Sequence, residues 1–177
     1  QLHLARVDLV SVVNAALDAV RPALDAKEIR IETHYQDELQ IIAGDPDRLQ
    51  QVVWNLLSNS VKFSPKGSHV QIVLRRCESS VEIIVKDDGV GIDPAFLPYV
   101  FERFRQADSS TTRTKSGLGL GLAIVRRLVE LHGGCIEAQS AGTERGSEFI
   151  IRLPIRTQQV RLAEQPVPDG FDYDMWL

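Results

Sequence analysis

The stretch PDRLQQVVWNLLSNSVKF, residues 46–63, is the most informative part of the sequence for predicting the fold. Its large apolar residues recur at helical spacing and fall within one arc of a helical wheel, which predicts a helix with one face in a core. Asp45 is suited to cap this helix, Pro46 to occupy its first position, and Asp47 to interact with the partial positive charge of its first turn. Ser-Pro-Lys-Gly at residues 64–67 ends it.

The flank of this predicted helix carries three polar residues at spacings of four and three, namely Asn55, Asn59 and Lys62. Asparagine is a mediocre helix former, so two of them beside an apolar stripe call for a reason. An amide oxygen is a neutral, hard ligand that Mg²⁺ accepts beside waters and nucleotide phosphates, and a lysine one turn later can reach the same phosphates. A solvated helix face with two incidental amides is the alternative.

Alternation and helical periodicity on both sides of this helix predict a mixture of helices and strands in one α/β domain. The predicted helices cover 7–26, 101–106 and 120–132, and the predicted strands cover 28–35, 40–43, 70–77, 81–86, 135–138 and 147–154, with a hairpin joining 70–77 to 81–86.

A second informative stretch, Val-Lys-Asp-Asp-Gly-Val-Gly at residues 85–91, places Asp87 at the end of a predicted strand. A carboxylate at the floor of an apolar slot accepts a hydrogen bond from the exocyclic amine of adenine, and Gly89 and Gly91 let another group approach the backbone. The alternative is an ordinary turn, because Asp-Gly is a common turn pair.

A third stretch, residues 116–124, places Gly117, Gly119 and Gly121 at the start of a predicted helix. Backbone N–H groups of such a segment can bind an anion at the helix N-terminus. The polar stretch 108–117 before it lacks apolar periodicity and predicts a mobile loop. The pattern is not that of a dinucleotide-binding fold, because it lacks the GxGxxG spacing and follows no strand.

Aromatic residues Phe101 and Phe104 lie before this loop at helical spacing and are expected to anchor one of its ends. The alternative is that they are ordinary core aromatics. Basic side chains lie near or within this loop, and one of them could reach a terminal phosphate, although most are expected to be solvated. They are Arg103, Arg105, Arg113 and Lys115.

Composition excludes several classes of protein. The 177 residues are 44% hydrophobic with a net charge of −4 and two cysteines, which argues against disorder, a disulfide scaffold and a nucleic-acid binder. Cys77 and Cys135 have no zinc-site spacing, and a reducing compartment is the expectation. No apolar run is long enough to span a membrane. The sequence therefore predicts a cytoplasmic domain.

The order Asn-x₃-Asn-x₂-Lys, Asp-x-Gly-x-Gly, Phe-x₂-Phe and Gly-x-Gly-x-Gly-Leu resembles the catalytic ATP-binding domain of sensor histidine kinases. That domain shares a superfamily with gyrase B subunits, the ninety-kilodalton heat-shock chaperones and mismatch-repair ATPases. The resemblance implies a two-layer α+β sandwich of the Bergerat type, a mixed sheet covered on one face by helices, with ATP beneath a mobile lid. It also implies a connector at 1–8, the catalytic domain at 9–155 and a tail or linker at 156–177.

Carried over by position, the resemblance implies that Asn59 is the principal Mg²⁺ ligand and that Asn55 is an auxiliary metal ligand with a catalytic role. Lys62 matches the phosphate-binding and catalytic lysine, Phe63 an aromatic residue flanking the nucleotide, and Asp87 the residue that reads adenine. The other implied nucleotide-binding residues are Gly89, Gly91, Ile92, Gly117, Leu118, Gly119, Leu120 and Gly121.

Three positions depart from the family's usual pattern. Ser60 stands where alanine is commoner and is expected to be harmless. Asp88 stands where threonine is common and adds a negative charge. Gln106 occupies the lid position where many members carry an arginine that contacts the terminal phosphate, so the cation for that phosphate stays open.

The resemblance implies transfer of the γ-phosphoryl group of ATP to a histidine on a helical hairpin that also dimerises, and then to a receiver domain. None of His3, His34, His69 and His132 precedes an acidic residue as the acceptor histidine does, so the acceptor is expected outside this chain. The domain alone is expected to be monomeric, with no autophosphorylation and no contact with nucleic acid or membrane.

Other functions stay open: a regulatory module that binds nucleotide without transfer, or a serine kinase of the anti-sigma type. A clamp-type ATPase is disfavoured because such enzymes place a glutamate base where Asn55 stands, and an amide cannot take a proton from water.

Overall fold

The computed structural model describes residues 2–36, 41–103 and 120–155. The helix predicted at residues 46–63 has those bounds in the structure. In chain order the elements are β1 (Ala5–Val7), α1 (Leu9–Ala26), β2 (Arg30–Tyr35), β3 (Ile42–Gly44), α2 (Pro46–Phe63), β4 (His69–Cys77), β5 (Ser80–Asp87), a 3₁₀ turn (Leu97–Tyr99), α3 (Gly121–Leu131), β6 (Cys135–Gln139) and β7 (Ser147–Pro154).

Five of the strands form one mixed sheet in the order β2-β4-β5-β7-β6. Strand β2 runs parallel to β4, whereas the three other pairings are antiparallel. Strands β1 and β3 form a separate antiparallel pair. The predicted hairpin between β4 and β5 is confirmed.

The three helices cover one face of the sheet, with α2 packed against both α1 and α3. Alternate residues of each strand point to this face, because successive side chains of a strand point to opposite sides. The strand residues of the core include Val70, Ile72, Leu74, Val81, Ile83, Val85, Phe149, Ile151 and Leu153. The predicted two-layer α+β sandwich is confirmed.

Capping side chains begin the first two helices. Asp8 accepts a hydrogen bond from the backbone N–H of Val10 at 3.1 Å. Asp45 accepts one from Arg48 N–H at 3.2 Å and another from His3 N–H at 2.9 Å. These bonds, the one from His3 foremost, hold the pKa of Asp45 below its usual value.

The opposite face of the sheet carries an ionic cluster. Glu82 is only 2% exposed and lies between Arg75, with Nε at 2.7 Å, and Arg152, with Nε at 2.8 Å. Burial raises the pKa of Glu82, but the hydrogen bonds from the two arginines outweigh burial and leave it below its usual value.

Several predicted boundaries shift by one or two residues, and two differences from the prediction have a clear cause in the tertiary structure. The first helix begins at Leu9 rather than Val7, because Val7 belongs to β1 and pairs with Ile42. Residues 101–103, where a short helix is predicted, are not helical, and residues 104–106 lie outside the described ranges. The Phe101 ring instead packs edge-on against Phe149, with centroids 6.3 Å apart.

No helix in the described ranges combines the length and the apolar character needed to cross a bilayer.

Candidate functional site

The polar flank of α2 faces the beginning of α3. The side-chain amide of Asn55 donates a hydrogen bond to Gln51 O at 2.8 Å, which leaves its Oδ1 available as an acceptor. This Oδ1 lies 3.3 Å from the position that a Cβ on Gly121 would take. The N-terminus of α3 therefore packs closely against one of the two predicted metal ligands.

Asn59 and Lys62 lie on the same flank and are both half-buried. Within the described ranges the Asn59 amide has no hydrogen-bond partner, so its oxygen is available to a ligand. The Nζ of Lys62 lies 4.9 Å from the ring centroid of Phe63, whose side chain is 40% exposed. This cation–π contact holds a positive charge at the end of the helix.

Asp87, at the end of β5, is a buried carboxylate held by groups from three parts of the fold. Its Oδ1 accepts the N–H of Gly89 at 2.9 Å, and its Oδ2 accepts Ser147 Oγ at 2.8 Å and Ser60 Oγ at 3.3 Å. Asp87 is 4% exposed and Ser60 is 1% exposed. A charge this far from water needs such donors.

Two of these partners were not predicted as site residues. Ser147 begins β7 and is the direct cross-strand partner of Asp87. The sequence signal that could have found it is the Gly146-Ser147 turn before the last predicted strand. Ser60 was expected to be harmless, but its hydroxyl contacts the carboxylate.

Gly89 and Gly91 allow the loop after β5 to approach its neighbours. A Cβ on Gly89 would lie 2.6 Å from Asp87 Oδ1 and 2.9 Å from Phe63 O. Gly91 has a φ of +70°, and a Cβ there would overlap the carbonyl oxygen of Gly142. Both glycines are therefore required by this packing.

The same loop is tied to the connection between β6 and β7. Ile92 N–H donates to Ser140 Oγ at 3.0 Å, and Glu144 N–H donates to Val90 O at 2.7 Å. Ile92 also packs partly buried against the core. These bonds fix the position of the loop that follows Asp87.

The end of α2 and the loop after β5 form one site. Val90 N–H donates to Phe63 O at 3.1 Å, which joins the two segments directly. Lys27 supports the same turn, because its Nζ donates to Val61 O at 2.5 Å and to Ser64 O at 3.0 Å. The amide-lysine flank and the carboxylate slot, predicted as separate motifs, therefore meet at the C-terminal end of α2.

Part of the predicted glycine-rich segment is described. Leu120 is half-buried and immediately precedes α3, and Gly121 is the first residue of that helix. Gly117, Leu118 and Gly119 lie outside the described ranges, as do Phe104, Arg105, Gln106, Arg113 and Lys115.

The side-chain atoms available to bind a metal are amide oxygens, not a cluster of carboxylate, imidazole or thiol groups. In the described ranges, no group of three His, Cys, Asp or Glu side chains is arranged to hold a metal ion. The oxygens of Asn55 and Asn59 fit a hard cation that keeps most of its other ligands as waters and phosphates, which is how Mg²⁺ usually binds.

His132, the C-cap residue of α3, is a buried structural residue. It is 5% exposed, its Nδ1 lies 2.8 Å from Leu128 O, and its Nε2 accepts the N–H of Asp45 at 3.0 Å. Both ring nitrogens are therefore occupied by the backbone.

Residues 44–157 match the family model described as "Histidine kinase-, DNA gyrase B-, and HSP90-like ATPase". The chain is 36% identical to the sensor-like histidine kinase SenX3 of Mycobacterium tuberculosis over 93% of this chain and 40% of that protein. It is also 36% identical to the hybrid signal transduction histidine kinase D of Dictyostelium discoideum, over 87% of this chain and 12% of that protein. The chain thus spans less than half the length of these relatives.

Solved structures of histidine kinases superpose on this chain as well. The mycobacterial sensor histidine kinase MprB superposes with a TM-score of 0.75 at 32% identity, over 86% of this chain and 98% of that one. Full-length ShkA, in a structure with AMPPNP, superposes with a TM-score of 0.78 at 31% identity, over 89% of this chain and 32% of that one.

Proposed function

This chain belongs to the histidine kinase-, DNA gyrase B- and HSP90-like ATPase family, and from that premise we propose that it transfers the γ-phosphoryl group of ATP to a histidine on another domain. It is the type of catalytic domain that sensor histidine kinases contain. The observation that carries the proposal is the junction between the two halves of the site. Phe63 O binds Val90 N–H at 3.1 Å and so places the end of α2 beside the slot of Asp87.

The base of the nucleotide binds in the slot beside Asp87. Its carboxylate keeps acceptor capacity beyond the three donors it already binds, because each carboxylate oxygen can accept more than one hydrogen bond. The exocyclic amine of adenine supplies a further donor. A purine with a carbonyl oxygen at that position presents an acceptor instead, which cannot hydrogen-bond to the carboxylate. Gly89, Gly91 and Ile92 shape the rest of the slot.

The phosphates bind along the polar flank of α2. Asn59, with Asn55 as auxiliary ligand, would hold Mg²⁺, which neutralises phosphate charge when it is bound. Lys62 is one helical turn from Asn59 and contributes a second positive charge to the phosphates. Leu120 and Gly121 contribute the helix N-terminus of α3, and Gly117, Leu118 and Gly119 belong to the same proposed phosphate-binding segment.

The acceptor histidine comes from another domain. His132 has both ring nitrogens engaged by backbone, and His34 and His69 bind Glu32 on the sheet at 2.8 and 3.1 Å. An imidazole nitrogen of a helical hairpin forms the bond to the γ-phosphorus while the bond to the β–γ bridging oxygen breaks and ADP leaves. The protein's contribution is positioning and charge stabilisation.

The partners follow from this proposal: a dimerising helical hairpin that carries the acceptor, and a receiver domain that takes the phosphoryl group from it. The domain acts on the cytoplasmic side, where ATP is available, and it is monomeric when isolated from the hairpin.

The test combines the chain, radiolabelled ATP with Mg²⁺, and a separately produced helical hairpin from a sensor histidine kinase. We expect acid-labile, base-stable phosphate on the hairpin, and none when Asp87→Asn replaces the wild-type chain. ATP binding without labelling of any hairpin would instead support a regulatory nucleotide-binding module, and acid-stable phosphate would support a serine kinase.

A further inference from the structure

Two buried serine hydroxyls lie beside Asp87, one in the last turn of α2 and the other at its C-cap. Ser60 is 1% exposed and Ser64 is 3% exposed. They are four residues apart, so they lie on one face of the helix end, and Ser64 N–H donates to Ser60 O at 3.0 Å. Serine is not required for the helix here, since alanine is the better helix former.

Ser60 acts on Asp87 directly. Its Oγ is 3.3 Å from Asp87 Oδ2, the oxygen that also accepts Ser147 Oγ at 2.8 Å. The other oxygen, Oδ1, is bound by Gly89 N–H at 2.9 Å. The carboxylate is therefore held on both oxygens, and its orientation toward a ligand is set before binding.

Ser64 differs, because its buried hydroxyl has no hydrogen-bond partner in the described part of the protein. It borders the slot: Ser64 Oγ and Asp87 Oδ1 lie 3.1 and 2.6 Å from the position that a Cβ on Gly89 would take. An unpaired buried hydroxyl destabilises a folded protein, so its presence beside Asp87 indicates that a ligand group supplies the partner.

We infer that Ser60 and Ser64 determine specificity for a 6-aminopurine nucleotide, Ser60 by orienting the Asp87 carboxylate toward the amino group and Ser64 by hydrogen bonding to the bound base, directly or through one water. The inference rests on the proposed ATP site. Of these two residues, the resemblance to the family treats Ser60 as a harmless departure and assigns Ser64 no role.

The test compares Ser60→Ala and Ser64→Ala with Ser58→Ala as the matched control. Ser58 lies two residues from Ser60 and points to the opposite side of α2, since two residues correspond to about 200° of helical rotation. Calorimetry measures the Kd for ATP and for inosine triphosphate, which carries a carbonyl oxygen in place of the 6-amino group. Urea unfolding measures the stability of each variant.

We expect Ser60→Ala to weaken ATP binding about three- to tenfold and inosine triphosphate binding less than about twofold. We expect Ser64→Ala to weaken ATP binding by a similar factor without any loss of stability, because it removes an unpaired buried hydroxyl. Ser64→Thr, which keeps a hydroxyl, should restore ATP affinity. Ser58→Ala should match the wild type.

The outcomes separate this inference from the proposed function. If the wild type does not bind ATP, or if Asp87→Asn does not change the preference for ATP, the proposed function fails. If ATP binding depends on Asp87 but Ser60→Ala and Ser64→Ala bind like Ser58→Ala, the inference is overturned. Equal losses for both nucleotides together with lower stability also overturn it, because they indicate a purely structural role.

Discussion

The Nε2 of His132 accepts a hydrogen bond from the backbone N–H of Asp45 at 3.0 Å, across 87 positions of sequence. Its Nδ1 lies 2.8 Å from Leu128 O, so Nδ1 carries the proton and donates to that carbonyl. One imidazole thus joins the C-terminal end of α3 to the N-cap of α2. The two helices that provide the proposed phosphate-binding groups are held together at the end remote from the proposed nucleotide site.

His132→Ala is expected to lower the free energy of unfolding by about 2 to 3 kcal/mol, because it leaves a cavity and deprives the backbone N–H of Asp45 of its acceptor. Urea unfolding measures the change. His34→Ala is the control, since the His34 side chain is 52% exposed. Equal stability of the two variants would contradict a structural role for His132.

Lys27→Met is expected to lower stability by about 1.5 kcal/mol, because the Nζ of Lys27 donates charge-assisted hydrogen bonds to Val61 O and Ser64 O at 2.5 and 3.0 Å. Lys66→Met removes an ion pair to Glu28 in which both side chains are 67% exposed, and it should cost less than about 0.5 kcal/mol. A smaller effect at Lys27 than at Lys66 in urea unfolding would show that the carbonyl contacts do not stabilise the end of α2.

Glu82→Gln is expected to lower stability by about 2 kcal/mol at neutral pH. A neutral amide cannot form the ion pairs that the buried carboxylate makes with Arg75 and Arg152, and the partial exposure of both arginines limits the loss. The pKa of Glu82 lies below the usual 4.5 in the folded protein. Its contribution is therefore complete above that value and is lost as the pH falls through the folded-state pKa.

The difference between wild type and Glu82→Gln should accordingly shrink as the pH falls below 4.5. Urea unfolding across this range tests it. Glu130→Gln is the control, because the Glu130–Arg126 ion pair lies on an exposed helix surface with side chains 44% and 56% exposed. A difference that grows on acidification would refute the assigned sign.

Asn59→Ala is expected to weaken ATP binding roughly tenfold with Mg²⁺ present and to leave it almost unchanged with a chelator, since the proposed role of the amide is to hold the metal. Asn14→Ala is the control. Asn14 lies on α1, and its Oδ1 accepts a hydrogen bond from the Tyr35 hydroxyl of β2 at 3.0 Å. Calorimetric titrations of both variants decide the matter. Unchanged affinity in Mg²⁺ would remove Asn59 from the metal site.

Gly91→Ala and Gly67→Ala separate backbone strain from steric overlap. Gly91 and Gly67 have φ values of +70° and +77°, but a Cβ overlaps Gly142 O only at Gly91, and nothing lies within 4 Å of it at Gly67. We expect Gly67→Ala to cost about 1 kcal/mol and Gly91→Ala at least about 2 kcal/mol more. Thermal and urea unfolding should agree on this order, and equal costs would mean that the loop shifts without penalty.

Much of the secondary structure follows from local sequence. Asp45, Pro46 and the apolar periodicity after them define α2, because capping and helix periodicity act within a few residues. Strand β1 was not predicted, since three residues with no alternation of their own become a strand only by pairing with β3. Similarly, Phe101 was placed in a helix by its spacing, although its packing on Phe149 decides its position.

The chemical groups of the proposed site can be read from the order of residues: two amides and a lysine on one flank of a helix, a carboxylate at a strand end, and the glycines beside them. That these groups meet at the end of α2 depends on how the helices and the sheet pack. The same holds for Ser60 and Ser147, 27 and 60 positions from Asp87, which bind the same carboxylate oxygen. Local and tertiary interactions differ in their range along the chain. Propensity and capping depend on neighbours along the chain, whereas a buried hydrogen bond depends on which strands and helices pack together.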